Sequence, residues 1–522
     1  MGHPEQGGDH PAQHASAMTR CKFRSPMPSP MSCVPLRRPM LAFHSSFGWS
    51  RLLLMKALMV AGTSSWAGKS LMATALCASL RRRGVRVAPF KAQNMSNNAR
   101  VVVGGEIGAA QYFQALAAGV EPSTDHNPVL LKPESDTSSQ VVVDGQVDWE
   151  LSRMAWRERA PRLWGAMTDA FDRVASTVDV VILEGAGSPA EINLADVDLV
   201  NLRMARHAEA DMLVVCDIDR GGAFAHLYGT WVLLPEEDRH RVQGFILNKF
   251  RGDAALLEPG PSQLEALTGV PTIGVVPLVQ HGLPDEDGAD PHPRSAGGKR
   301  VRVIRGPAAS NLDEWWPLLQ TSDFRWATGP SDLADAELIV LPGSKAVATD
   351  LKWIRLTGID RVLLAAYERN TPILAVCGGV QMLGGDILDP HGVEAAASGL
   401  GLIPTVTSLG ATKRVQHRSA TFADSVREPW SDLGGRTIEG YEIRFGETSF
   451  GDPAVPVLPD GLGFTCGSVL AVYLHGLAEM PAITNLLTGR APTRSLDEVF
   501  EGLADLVDDA VDRTWLAKLA SP

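Results

Sequence analysis

Aromatic residues make up only 6% of the 522-residue chain, whereas glycine supplies 50 positions. Many tight turns beside aliphatic strands suit an α/β protein better than an all-β one. A basic excess is also missing. The net charge is -12, while a nucleic-acid binder carries a basic footprint, so no nucleic-acid partner is expected. Small anionic ligands stay open, because backbone amides and a few lysines act locally. No apolar run approaches the roughly 18 residues that cross a bilayer. The best, Leu52 to Ala61, is interrupted by Lys56, so no membrane partner is expected. The six cysteines, at 21, 33, 77, 216, 377 and 466, form no CxxC pair. That speaks against a zinc ribbon or a dithiol redox motif. It fits a reducing compartment and an expected cytoplasmic location.

The length predicts two or three domains. Residues 1–54 are rich in His, Pro, Met and Ser and lack both periodicity and the layout of a signal peptide. They are expected to be a disordered extension, or a mis-assigned one with translation starting at Met55. The sparse histidines there (His3, His10, His14) suggest no specific metal site. Residues 281–299 begin His281-Gly282-Leu283-Pro284 and continue into Pro, Ser and Gly, which predicts an exposed linker. The expected organisation is a phosphate-loop domain over 55–280, the linker, a second domain over 300–490 and a helical tail over 491–522. In the tail, Ser495-Leu496-Asp497-Glu498 reads as a capping box, and Val499, Phe500, Leu503 and Val507 recur at helical spacing. A packing helix is the simplest reading and an oligomer contact the other; the oligomeric state is left open.

In the first domain, an apolar strand over 57–61 leads into Gly62-Thr63-Ser64-Ser65-Trp66-Ala67-Gly68-Lys69-Ser70 and then a helical stretch. Strand, glycine loop and helix is the setting in which backbone amides cradle phosphates. Gly62, Thr63, Gly68, Lys69 and Ser70 are therefore expected to bind a nucleotide, with Ser70 also on Mg²⁺. Glu184 ends another strand, where a carboxylate is either a metal ligand or a loop acid facing water. Asn248, after a further strand, reads a base edge or caps the next turn. The cluster Gln93, Asn94, Ser96, Asn97 and Asn98 past a strand end is either a ligand site or an Asn-rich turn.

In the second domain, Ile373 to Val376 is a β-type run ending on Cys377, followed by Gly378-Gly379 and a helical stretch. That predicts a thiol on a sharp strand-to-helix turn, by the logic of the serine nucleophile elbow. A thiol needs a nearby base. His475, which ends the strand around Val469 to Val472, can serve. Amides at Gly343, in a Pro-Gly-Ser turn, and at Gly378 suit an oxyanion hole.

These segments together carry a resemblance. The phosphate loop, Lys91-Ala92-Gln93-Asn94-Met95-Ser96-Asn97-Asn98, Asn127-Pro128-Val129-Leu130-Leu131-Lys132-Pro133, the run from Glu184 to Leu194 and the run from Asp217 to Phe224 look like the cobyric acid synthase family. The resemblance implies two doubly wound, mostly parallel α/β domains: a dethiobiotin-synthetase-like ATPase, then a glutamine amidotransferase. It implies ATP with Mg²⁺, glutamine as nitrogen donor and a corrinoid substrate, amidated at its b, d, e and g carboxylates. Cys377 matches the family's nucleophile and His475 its catalytic histidine; Leu477 stands where many related glutaminases have an orienting Glu, so the resemblance implies a Cys–His dyad, with Glu479 a remaining option. Ser64, Trp66, Val380 and Arg444 depart from the residues usual there. The rival readings are a cobyrinic acid a,c-diamide synthase and a partition-type ATPase.

Overall fold

The computed structural model describes residues 55–134, 137–284 and 296–521. All of them fall in one compact unit, Phe47–Pro522. The expected extension 1–54 and most of the linker lie outside the described residues.

The first sheet has six strands: β1 (Lys56–Gly62), β2 (Val87–Phe90), β3 (Val180–Glu184), β4 (Asp211–Asp217), β5 (Val242–Phe250) and β6 (Thr272–Pro277). They are ordered β6-β5-β4-β1-β3-β2, and every pairing is parallel. Successive side chains of a strand point to opposite faces. Met59 and Ala61 enter one apolar core, Leu58 and Val60 the other. Both faces are thus covered, as a parallel sheet requires.

The second sheet has seven strands: β7 (Arg300–Ile304), β8 (Asp323–Ala327), β9 (Leu338–Leu341), β10 (Ile373–Val376), β11 (Val455–Leu458), β12 (Gly463–Cys466) and β13 (Val469–Val472). The order is β8-β7-β9-β10-β13-β12-β11. Five strands are mutually parallel, and β12 and β11 add an antiparallel edge. The doubly wound, mostly parallel α/β architecture is as the sequence predicts. A long two-stranded ribbon, Thr405–Thr421 against Thr437–Phe450, rises from this half toward the first. Four short strands between 93 and 148 form a further sheet in the first half.

The chain's last segment returns to the first half. Helix α1 (Lys69–Arg82) follows the phosphate loop, and α2 (Leu496–Ala510) packs along it. Ser495 and Glu498 close the capping box in both directions. Val499, Phe500, Leu503, Ala504 and Val507 enter the same core as Leu58 and Val60. Arg81 pairs with Glu501 at 3.2 Å and Arg83 with Asp508 at 2.9 Å, but such solvated pairs hold little energy. Leu503→Ala is therefore expected to cost about 3 kcal/mol, read from the guanidinium midpoint, and Glu501→Gln less than about 1 kcal/mol. Equal responses would mean that charge, not packing, docks the tail.

Candidate active sites

The phosphate loop is built by close backbone approaches. Gly68 has φ +103°, and a Cβ there would lie 2.0 Å from Asn248 Nδ2. Asn248 is buried and donates to Ala67 O at 2.9 Å. Asn248 thus supports the loop from behind through its amide nitrogen. Its Oδ1 has no hydrogen-bond partner among the described residues. Lys249 Nζ holds Trp66 O at 2.9 Å and Asp217 Oδ2 at 2.8 Å, a prop the sequence did not announce.

Lys69 heads α1 and donates to Ser64 O at 2.9 Å and Gly187 O at 3.0 Å. Burial pushes its ammonium down to about 8, against the pull of Glu184. Glu184, at the end of β3, is fully buried. It accepts from Ser70 Oγ at 2.8 Å, from Lys91 Nζ at 2.8 Å, from Gln111 Nε2 at 3.3 Å and from Gln114 Nε2. Burial alone would raise its pKa, but Lys91 and these donors hold it below the usual range. Of the two readings, a loop acid facing water is therefore excluded. A hydroxyl and a carboxylate in contact form the hard-oxygen pair that Mg²⁺ takes beside phosphate oxygens and water. Among the described residues no cluster of three His, Cys, Asp or Glu offers an all-protein metal cage.

Cys377 sits at φ 50°, ψ −106° between β10 and a short helix, Gly378–Leu383. That is left-handed backbone for a residue with a side chain, the strain expected of an elbow. The glycines behind it are required by space. A Cβ on Gly378 would lie 2.6 Å from Ser344 N, and one on Gly379 would lie 2.1 Å from Leu341 O. The Cys377 thiol donates to Ile443 O at 3.6 Å, and it lies near enough to His475, 98 positions away, to help raise the imidazole pKa. Gly378 lines the cavity beside the thiol together with Ser344. Gly343 packs against His475, where a Cβ would lie 3.0 Å from the ring Cε1.

A third group completes the pair, and it is neither Leu477 nor Glu479. Glu314 is 0% exposed. Its Oε1 lies 2.9 Å from His475 Nδ1, and its Oε2 accepts from Gly476 N at 2.6 Å. The expected dyad is thus a triad in geometry. Glu479 instead takes the Arg100 guanidinium at 2.9 Å. Burial pulls the His475 pKa down, but Glu314 and Cys377 outweigh it and push it up to about 10. Tyr441 stacks on the imidazole at 5.3 Å.

The cavity at Cys377 is walled by both halves: Asn97, Lys132 and Gln140 from the first, Lys345, Lys413 and Arg444 from the second. Lys132 and Lys413 share the buried Glu106. Burial would raise the Glu106 pKa, yet the two lysines hold it near 2. Burial, with only Glu106 to offset it, pushes Lys413 down to about 7. Asn97 Oδ1 and Gln140 Nε2 are buried here with no hydrogen-bond partner among the described residues. The 93–98 cluster is not one ligand surface. Asn94 donates to Gln111 Oε1 at 3.0 Å, Ser96 Oγ accepts from Asn98 N at 3.0 Å, and Asn98 Oδ1 accepts from Leu312 N at 2.8 Å. Gln93 is half-buried on the strand Gln93–Met95. The block is largely a joint between the halves, because its short amides satisfy backbone groups on both sides. Arg444 has its fork committed to Glu442 Oε1 at 3.0 Å and Gly446 O at 2.8 Å.

Two family models match the chain. Residues 58–282 match the CobQ/CobB/MinD/ParA nucleotide binding domain, and residues 300–482 match the CobB/CobQ-like glutamine amidotransferase domain. The cobyric acid synthase of Polaromonas naphthalenivorans (strain CJ2) is 53% identical over 470 residues, covering 87% of this chain and 96% of that protein. The cobyric acid synthase of Variovorax paradoxus (strain S110) is 52% identical over 467 residues, covering 87% and 97%. That of Paracidovorax citrulli (strain AAC00-1) is 52% identical over 489 residues, covering 89% and 99%. No helix among the described residues is long and apolar enough to cross a membrane.

The geometry at His475 fixes a pH signature. A histidine whose folded pKa is raised stabilises the fold fully below its ordinary value. It loses that contribution as pH rises through about 10. Glu314→Gln is expected to lower the His475 pKa toward the ordinary histidine range, seen in ring NMR signals. The variant's stability deficit should then be largest below the ordinary histidine pKa, shrink as pH rises from there toward about 10, and be gone above it. An unmoved titration would remove Glu314 from the triad.

Proposed function

The chain belongs to the cobyric acid synthase family, and we propose that it carries out that family's reaction: ATP- and glutamine-dependent amidation of the b, d, e and g carboxylates of adenosylcobyrinic acid a,c-diamide, giving adenosylcobyric acid in cobalamin biosynthesis. It is a glutamine-hydrolysing carbon–nitrogen ligase that uses glutamine and ATP. The observation that carries the reading is the contact of Cys377, His475 and Glu314 in a chain that also holds Lys69, Ser70 and Glu184 together.

In the second half, Cys377 Sγ attacks the side-chain carboxamide carbon of glutamine. His475, oriented by Glu314 through Nδ1 and favoured as the imidazolium by its raised pKa, carries the thiol proton and gives it to the departing ammonia. Backbone amides around Gly378 and Gly343 stabilise the oxyanion. Water then releases glutamate from the thioester, with His475 as base.

In the first half, the amides from Gly62 to Ser70 and the Lys69 ammonium bind the phosphates. A corrinoid carboxylate takes the γ-phosphoryl group to form an acyl phosphate, and ammonia displaces phosphate to leave the amide. Catalysis of the transfer is mainly positioning and charge neutralisation. Ser70 and Glu184 would hold Mg²⁺, which supplies part of that neutralisation when bound. Asn248 shapes the loop that receives the nucleotide. A nucleophilic thiol must stay reduced, which supports a cytoplasmic setting.

Three outcomes test the reading. Incubation with the corrinoid diamide, ATP, magnesium and glutamine should add the mass of four amides; an addition of two on an a,c-unamidated substrate would instead indicate the diamide synthase. Cys377→Ala should lose glutamine-driven amidation but keep it with ammonium as donor, and loss of both would break the two-site scheme. Lys69→Ala should lose amidation with either donor, by roughly 10² or more.

A further inference from the structure

Three consecutive residues of the first half hold the loop that carries Glu314. Asn98 Oδ1 accepts from Leu312 N at 2.8 Å, and Ala99 O accepts from Asn311 Nδ2 at 2.7 Å. Arg100 Nε donates to Asp313 Oδ2 at 2.7 Å. Arg100 is 2% exposed, and its guanidinium carbon lies 5.2–5.5 Å from the ring centres of Phe113, Tyr441 and Tyr112. Its remaining donors meet Glu479, at 2.9 Å from Nη1. Asn311 is held at φ 55°, a left-handed conformation that a non-glycine residue keeps only when its surroundings enforce it. The peptide between Asp313 and Glu314 is thus pinned on one side by Arg100 and ends on the other at the His475 ring.

We propose that Arg100 is a positioning residue of the glutaminase: from the ATP-binding half of the chain, it sets the Asp313–Glu314 loop so that the Glu314 carboxylate meets His475. The guanidinium fork fixes both the distance and the plane of its carboxylate partner. Catalytic alignment in the second half therefore depends on a side chain of the first. The assignment rests on the amidotransferase reading above.

The test uses the full-length enzyme. Removing Arg100 alone strands two carboxylates, so the main variant is Arg100→Met with Asp313→Asn and Glu479→Gln, which discharges the group together. Glutamine hydrolysis should lose roughly 10²-fold in kcat, as for a misplaced catalytic group. The KM for glutamine should move by less than about threefold, because ground-state contacts are kept. Amidation driven by ammonium should stay within about twofold of wild type, which also reports that the variant folds. Arg100→Lys, keeping the charge without the planar fork, should recover part of the hydrolysis rate. Unchanged glutamine hydrolysis in the triple variant would overturn the proposal, as would a parallel fall of the ammonium-driven rate. Wild-type enzyme without amidation from either donor would instead overturn the reaction itself, and the assignment with it.

Discussion

Arg100 is buried with all its donors facing inward, so its counter-charges must come from the protein. They come from Asp313, 213 positions away, and Glu479, 379 positions away. The same demand is met at Glu106 by Lys413, 307 positions away, and at His475 by Glu314, 161 positions away. A charge in a low-dielectric interior is tolerable only when paired, and losing one partner costs about 3–5 kcal/mol. The attraction gained by a buried pair roughly balances its desolvation. These pairs therefore contribute more to register than to net stability. The Arg100 and Glu106 pairs fix how the two halves meet, and the cavity at Cys377 lies at that joint.

Within each half the working groups follow one rule. In parallel sheets, ligands bind beyond the carboxyl ends of the strands. The phosphate loop follows β1, Glu184 ends β3, Cys377 follows β10 and His475 lies three residues past β13. Strain is found at the same ends. Cys377 sits at a positive φ, as does Trp66 in the phosphate loop. The neighbouring glycines bring backbone within distances that no Cβ would allow. The packed sheets hold these turns, so the exposed chemistry rests on rigid strands.

What could be read from the sequence was local. A strand, a turn of special composition and a helix are contiguous, so the phosphate loop and the Cys377 elbow were visible, and the tail helix was announced by its cap and spacing. The need of a thiol for a base pointed to His475, and the family resemblance agreed. Glu314 was hidden because an acid in Asp313-Glu314-Trp315-Trp316 has no local signature, and its role arises only from a tertiary contact. Arg100 was hidden for the same reason. The expected orienter Glu479 is close by in space but is claimed by Arg100. In the 93–98 cluster, composition marked the segment but not its direction. Small amides satisfy backbone groups as readily as ligands, and here Asn98 serves the neighbouring half while Asn97 faces the thiol's cavity. The ribbon over 405–450 went unread because its pairing is long-range.

The charge of the cavity beside Cys377 bears on the nitrogen that leaves glutamine. Lys132 and Lys413 have one carboxylate, Glu106, between them. Lys345 on the same wall is paired with Glu134 at 2.8 Å, Arg444 is balanced by Glu442, and Glu394 also lines the cavity. The depressed Lys413 pKa of about 7 reflects burial first, offset by Glu106 and deepened by Lys132 and Lys345. A like charge disfavours the protonated form of any amine placed beside it, and burial acts in the same direction. Only neutral ammonia has a lone pair to attack an acyl phosphate, and burial in a cavity walled also by Asn97 and Gln140 of the amidating half disfavours the charged form.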